Sequence, residues 1–95
     1  MLEKELEQSP AFQNLCNAFA SLKTQTDVQN FLRDIATISE IQSMAERLQA
    51  AELISQGMSY RAINEQTGVS TTTISRVAHW LHHGMGGYQT VLSRL

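Results

Sequence analysis

The sequence has one cysteine, one proline and no long apolar run, and these scarcities exclude several classes of protein. A single cysteine, Cys16, cannot build a disulfide framework within the chain or a zinc site based on cysteines. No stretch reaches the roughly 18 apolar residues of a membrane helix, so we expect no membrane partner. The opening residues MLEKELEQSP are charged and lack the apolar core of a secretory signal, and we therefore expect a cytoplasmic protein.

Cys16 shares a helical stripe with Phe12, Leu15 and Phe19. A free cysteine among apolar neighbours is more often a small buried hydrophobe than a nucleophile. We therefore predict that Cys16 is buried and has no catalytic role.

Charge is unevenly distributed along the chain, although the net charge is only −2. Residues 1–57 carry eight acids and four bases, whereas residues 58–95 carry one acid, Glu65, and three arginines. The acidic balance argues against indiscriminate binding to polyanions. Any surface that meets nucleic acid is therefore expected in the second half of the chain.

Apolar residues recur at helical spacing throughout, and no strand-like alternation persists. Ser9 and Pro10 are typical of a helix N-terminus, and residues 37–40 have the T-x-x-E form of a capping box that opens the longest helix. We predict an all-α fold of about six helices, at about 10–22, 27–35, 37–57, 60–66, 70–82 and 88–95. In the last helix, Val91, Leu92 and Leu95 are predicted to face inward.

Residues 59–83 fit a helix-turn-helix, in which two helices are joined by a short turn that contains glycine. Gly68 can adopt the left-handed conformation that such a turn requires. Asn64 departs from the usual pattern by standing where a small residue is common, and Thr67 by standing where an aliphatic residue is common. The predicted core of the unit is Ile63, Val69, Ile74 and Val77.

The second helix of this unit opens on one serine and three threonines, residues 70–73. Threonine is a mediocre helix former, so the run is better explained by contact than by stability. In a helix-turn-helix the first residues of the second helix enter the major groove. Short hydroxyls there can bond phosphates or base edges, and threonine methyls can contact thymine. We predict DNA contact, with an ordinary Ser/Thr-rich cap of a structural helix as the alternative.

Residues 37–95 resemble the Trp repressor superfamily in Glu40, Ala45 and Arg47 and in the stretches GMSYRAINEQTG and STTTISR. The ending GYQTVLSRL is more similar to its YerC/YecD-type members. The resemblance implies an intertwined all-α homodimer in which the first and last helices interlock.

The amphipathic stripes of residues 12–35 also favour a dimer, because the rest of the chain offers them little cover. A compact monomeric bundle is the alternative. A single domain, 1–95, would comprise dimerisation helices (1–36), a long central helix (37–57), the helix-turn-helix (59–83) and a C-terminal helix (88–95).

The resemblance also implies site residues. The DNA-facing positions of the family correspond to Tyr60, Arg61, Asn64, Thr71, Thr72, Thr73 and Ser75. The helix-turn-helix pattern adds Ser70 and Arg76 to these predicted DNA contacts. The ligand-binding positions of the family correspond to Arg47, Thr73 and Arg76. The resemblance therefore allows for control by a small-molecule corepressor. Trp80 stands where the family's repressor has a small hydroxyl residue, and its indole is expected to compete for the space of a ligand's indole. Arg76 has two further interpretations, a phosphate contact and a surface pair with Glu65.

We therefore predict a dimeric, sequence-specific DNA-binding transcriptional regulator of repressor type, whose partners are double-stranded DNA and a second copy. A ligand-independent DNA-binding protein is one alternative. A helical protein–protein interaction module, favoured by the acidic net charge, is another.

No enzymatic activity, metal or obligatory cofactor is predicted. The sequence has no glycine-rich phosphate loop and no recognisable catalytic triad or carboxylate pair. His79, His82 and His83 have the spacing of metal ligands on one helix face. Their position at a helix C-terminus, where cations complement the negative end, explains them better.

Overall fold

The computed structural model describes residues 2–95, and these form helices and connecting turns without strands. The helices are α1 (Glu3–Gln8), α2 (Pro10–Ser21), α3 (Gln25–Ile35), α4 (Ile38–Ser55), α5 (Tyr60–Thr67), α6 (Thr71–His83) and α7 (Gly87–Leu92). The all-α prediction is confirmed, with α1 as one helix more than expected. Glu3 and Glu5 lie in its first turn, where acids complement the positive end of a helix.

Side-chain caps set the starts of four helices. Ser9 Oγ accepts from Phe12 N at 3.2 Å, with Pro10 as the first helical residue, as predicted. Thr24 Oγ1 accepts from Asp27 N at 3.1 Å, which starts α3 at Gln25, two residues before the predicted start at residue 27. Ser59 and Ser70 cap the two helices of the helix-turn-helix as expected.

The last helix differs from its prediction in extent and orientation. Tyr88 and Leu92, one turn apart, pack against the core. Val91 lies about 100° around the helix from Leu92 and is 44% exposed. Leu95 lies beyond the end of α7 and is 78% exposed. The prediction that Leu95 faces inward is wrong within the single chain. Val91 does not pack into the core and instead lines an open cavity beside it, because the core-facing side of α7 is set by Tyr88 and Leu92.

The chain divides into two compact units, Met1–Ile38 and Ser39–Leu95. In the first unit, Phe19 and Phe31 join α2 to α3 by an edge-on ring contact, with centroids 5.1 Å apart. None of its described residues is buried. Cys16 is exposed, so its predicted burial is wrong: α1 to α3 provide no cover for that side of α2. A single domain spanning 1–95 stays a prediction.

The second unit contains the buried core. The four residues predicted as the helix-turn-helix core are at most 4% exposed, which confirms their assignment. Ala50 and Ala51 of α4 complete the cluster and are fully buried. The core therefore holds α5 and α6 in a fixed relation. None of the helices in residues 2–95 has the length and apolar character needed to cross a bilayer.

Candidate functional site

The turn between α5 and α6 is fixed by local hydrogen bonds. Gly68 has φ +77°, the left-handed conformation expected of it, and its N–H donates to the Asn64 carbonyl at 2.9 Å. Asn64 Nδ2 donates to the Val69 carbonyl at 2.8 Å. Thr67 Oγ1 donates to the Ile63 carbonyl at 2.6 Å and accepts from Val69 N at 3.1 Å. The angle between the two helices is thus set by side chains as well as by glycine.

Asn64 and Thr67 are the two positions that depart from the usual helix-turn-helix pattern. Both are half-buried, and both bond the backbone on the far side of the turn. Asparagine and threonine are suited to this, because their short polar side chains reach neighbouring backbone groups. Thr67 was missed as a positioning residue, and a DNA contact by Asn64 stays a prediction.

The first turn of α6 contains hydroxyls of two kinds. Ser70 Oγ accepts from Thr73 N at 3.1 Å and donates to Thr73 Oγ1 at 3.0 Å, so these two side chains are engaged in the cap. Thr71 and Thr72 are exposed, and their hydroxyls make no hydrogen bond within the part of the chain that the structure describes. The helix end therefore presents two unengaged hydroxyls next to its own free N–H groups. Ser75 is also exposed.

The α5 side of the unit carries a tyrosine and an ion pair. Tyr60, the first residue of α5, is 44% exposed. Arg61 Nε donates to Glu65 Oε1 at 3.1 Å, one helical turn away. Glu65 is therefore the partner of Arg61 and not of Arg76, which forms no ion pair within residues 2–95.

A cavity of about 770 Å³ lies among α4, α6 and α7 of the second unit. Arg47, Thr73 and Arg76, the three predicted ligand residues, all line it. Arg47 Nη2 donates to Ser43 Oγ at 3.2 Å. The volume is within the range of roughly 300–1,000 Å³ that is usual for small-molecule sites.

The cavity contains positive charge without a paired acid. Glu46 also lines it, but among the described residues neither Arg47 nor Arg76 has a carboxylate oxygen within 4.0 Å. Guanidinium groups bind carboxylates and phosphates through paired N–H donors. The arrangement is therefore suited to an anionic ligand.

Trp80 forms one wall of this cavity, and its indole does not fill the space. The residue is 48% exposed. Gly84 follows it one turn later, at the end of α6. A Cβ at Gly84 would lie 2.9 Å from Trp80 Cε3 and would collide with the Trp80 carbonyl oxygen. Because Gly84 has φ −89°, close approach to Trp80, rather than a left-handed backbone, requires glycine here. Sequence reasoning missed this role, for which the sequence has no local signal.

The three histidines lie at the C-terminal end of α6. The rings of His79 and His83 are 5.5 Å apart, and those of His82 and His83 are 6.4 Å apart. No group of three or more His, Cys, Asp or Glu side chains among the described residues is arranged to hold a metal. Placement at the helix end remains sufficient to account for them.

Comparison with known proteins agrees with this geometry. The family model "Trp repressor protein" matches residues 10–95. The uncharacterised protein YerC of Bacillus subtilis is 41% identical over 92 residues, which cover 97% of this chain and 83% of YerC. A TrpR-like protein from Eubacterium eligens has a solved structure with a TM-score of 0.88 and 36% identity, covering 98% of this chain and 94% of that one. A structure from Staphylococcus aureus, described as a candidate Trp repressor, has a TM-score of 0.89 and 36% identity, covering 99% and 94% of the two chains. The chain therefore belongs to the Trp repressor family of DNA-binding regulators.

Proposed function

We propose that this protein is a sequence-specific DNA-binding transcriptional regulator that acts as a repressor. The unengaged hydroxyls of Thr71 and Thr72, at the N-terminus of a helix fixed by a buried core, are the observation that carries the proposal. In a helix-turn-helix this helix end enters the major groove, where short hydroxyls can reach base edges. Arg61 and Arg76 are both exposed, and their positive charge attracts DNA.

Salt dependence tests this function against a protein–protein interaction module, the alternative that the acidic net charge favours. Binding of the purified protein to random duplex DNA should weaken steeply as salt is added, because phosphate contacts release counterions. A fragment selected from a random library should bind more tightly than a shuffled version of itself. Failure to bind either DNA at low salt would favour the interaction module.

We also propose that the protein works as a homodimer. The helices α2 and α3 carry apolar stripes, yet no described residue of the first unit is buried within the chain. A second copy could cover these stripes. A two-fold dimer would also place two recognition helices on half-sites about 34 Å apart, one turn of B-DNA.

We expect the purified protein to sediment as a dimer at micromolar concentration. Ile35→Glu should shift it towards monomer, because Ile35 is 52% exposed and lies on the apolar stripe of α3. The matched control is Asn30→Glu on the polar side of the same helix, which should remain dimeric. A wild-type protein that sediments as a stable monomer would contradict the proposed dimer.

We further propose that a small anionic molecule controls DNA binding from the cavity that Arg47 and Arg76 line. The unpaired guanidinium groups support an anion, and the Trp80 wall supports a planar group beside it. A protein that binds DNA without any ligand is the alternative.

A calorimetric screen of amino acids and indole derivatives should find an anion that raises the melting temperature of the wild type. The rise should be absent in Arg76→Ala. This variant lacks a guanidinium that the anion needs, and a ligand raises the melting temperature only if it binds the folded protein. At a ligand concentration of 100 times Kd the stabilisation should be about 2.7 kcal/mol. If no compound releases heat or stabilises the wild type, DNA binding is independent of a ligand.

We propose no catalytic activity, because the family consists of regulators and not of enzymes. We also propose a cytoplasmic location. The relatives named above come from bacteria, in which the chromosome lies in the cytoplasm.

A further inference from the structure

We infer that Glu65 is a positioning residue that sets how Arg61 meets DNA. The hydrogen bond from Arg61 to Glu65 orients the Arg61 guanidinium for its contact with DNA. The negative charge of Glu65 weakens binding to DNA of every sequence. The inference rests on the DNA-binding function proposed above.

The contact between the two side chains leaves the end of the guanidinium unengaged. Arg61 Nε donates to Glu65 Oε1 at 3.1 Å, which uses one of the five N–H donors of the guanidinium. Nη1 and Nη2 have no partner in residues 2–95. Their paired N–H groups form the fork that binds a phosphate, or the O6 and N7 atoms of guanine, in a bidentate manner. Glu65 thus restrains the Nε side of the guanidinium and leaves Nη1 and Nη2 available for DNA.

Stability does not explain this pair. The side chains of Arg61 and Glu65 are 90% and 65% exposed, and an ion pair in water between neighbouring helical turns adds little to the free energy of folding. The pair does reduce the freedom of a long side chain before binding. Ordering such a side chain is a cost of association, so an arginine that is already oriented loses less on binding.

The charge of Glu65 has a separate consequence. It is the only acid in residues 58–95, and Arg61 and the other predicted α5 contacts, Tyr60 and Asn64, lie within about one and a half helical turns of it. A carboxylate close to the phosphate backbone is repelled by any DNA, whatever its sequence. Two variants separate the two effects. Glu65→Gln removes the charge but keeps a side-chain oxygen that can accept from Arg61 Nε, whereas Glu65→Ala removes both.

The experiment measures binding by fluorescence anisotropy with the full chain, across a salt series. The probes are a fragment that the wild type selects from a random duplex library and a shuffled version of that fragment. In 50 mM salt, Glu65→Gln should bind both probes about threefold more tightly than the wild type, with their affinity ratio unchanged. Glu65→Ala should gain the same factor on the shuffled probe only. Its ratio of selected to shuffled affinity should therefore fall by about threefold.

Three controls isolate the pair. Asp34→Asn makes the same change in net charge outside the helix-turn-helix and should leave both affinities near those of the wild type. In an Arg61→Ala background, adding Glu65→Ala should leave the affinity ratio unchanged, because the positioned group is already absent. The melting temperatures of all Glu65 variants should stay within a few degrees of the wild type.

The outcomes separate this inference from the function on which it rests. Equal affinity of Glu65→Gln and wild type for the shuffled probe overturns the inference, and so does an unchanged ratio in Glu65→Ala. If either result occurs while the wild type still binds its selected fragment, the DNA-binding function stands alone. A wild type that binds no DNA overturns both.

Discussion

Replacing Thr71 and Thr72 together by alanine should remove most sequence-specific DNA binding and leave the fold intact. Both hydroxyls are unengaged in the described chain, so their removal breaks no internal hydrogen bond. Alanine is the better helix former by up to about 0.7 kcal/mol at each position, so the melting temperature should hold or rise slightly. Affinity for the selected fragment should fall by about 1–3 kcal/mol for each threonine that meets a base edge. Affinity for shuffled DNA should change much less.

Ser70→Ala is the comparison variant for stability only, because Ser70 is itself among the predicted DNA contacts. Its hydroxyl accepts from Thr73 N, which makes Ser70 the cap of α6. Loss of such a cap costs about 0.5–2 kcal/mol of stability, so this variant should melt earlier than the wild type. Anisotropy titrations and thermal melts of both variants separate DNA contact from capping. A threonine double variant that melts early and still binds its selected fragment with wild-type affinity would show that the threonines have a structural role only.

The helix-turn-helix could be predicted from the sequence because its signals are local. Gly68 marks the turn, serines mark both helix starts, and apolar spacing marks the core. Each signal acts over one or two helical turns, where backbone geometry dictates which side chains meet. Ile63 and Ile74, predicted from this spacing, are fully buried.

Burial outside that unit could not be predicted in the same way. Cys16 lies among apolar residues in the sequence, but exposure depends on what packs across the helix, and α1 to α3 leave it open. The apolar character of Val91 and Leu95 is the basis for predicting that both face inward. The register of α7 against the core, set by Tyr88 and Leu92, leaves them exposed.

The candidate site could be predicted only in part, for a related reason. Resemblance to a family predicts Arg47, Thr73 and Arg76 as ligand residues, and the structure places all three around one cavity. The closeness of Gly84 to Trp80 is a contact between a backbone and a ring, and no spacing rule specifies it. Asn64 and Thr67 depart from the usual pattern because that pattern describes apolar packing, whereas these side chains act by hydrogen bonding across the turn.

Ile74→Ala should lower the free energy of unfolding by about 2–5 kcal/mol, the usual cost of truncating a buried isoleucine. Ile74 is fully buried and lies between Thr73 and Ser75, so the side chain that anchors α6 in the core is a neighbour of the predicted DNA contacts. Ile74→Val removes one methylene group and should cost only about 0.5–1.5 kcal/mol. Urea unfolding at a fixed protein concentration measures both, since the stability of an oligomer depends on concentration.

The same pair of variants connects the core to DNA binding. At low temperature, where Ile74→Val remains folded, its affinity for the selected fragment should match the wild type, because no DNA-facing group has changed. Ile74→Ala should lose affinity only to the extent that it is unfolded or that α6 shifts into the space left by the missing atoms. An Ile74→Ala protein whose unfolding free energy lies within about 0.5 kcal/mol of the wild type, the usual range for surface substitutions, would show that α6 is not anchored by this side chain. The fixed relation of the two helices would then have to come from the hydrogen bonds of the turn, from Asn64 and Thr67 above all.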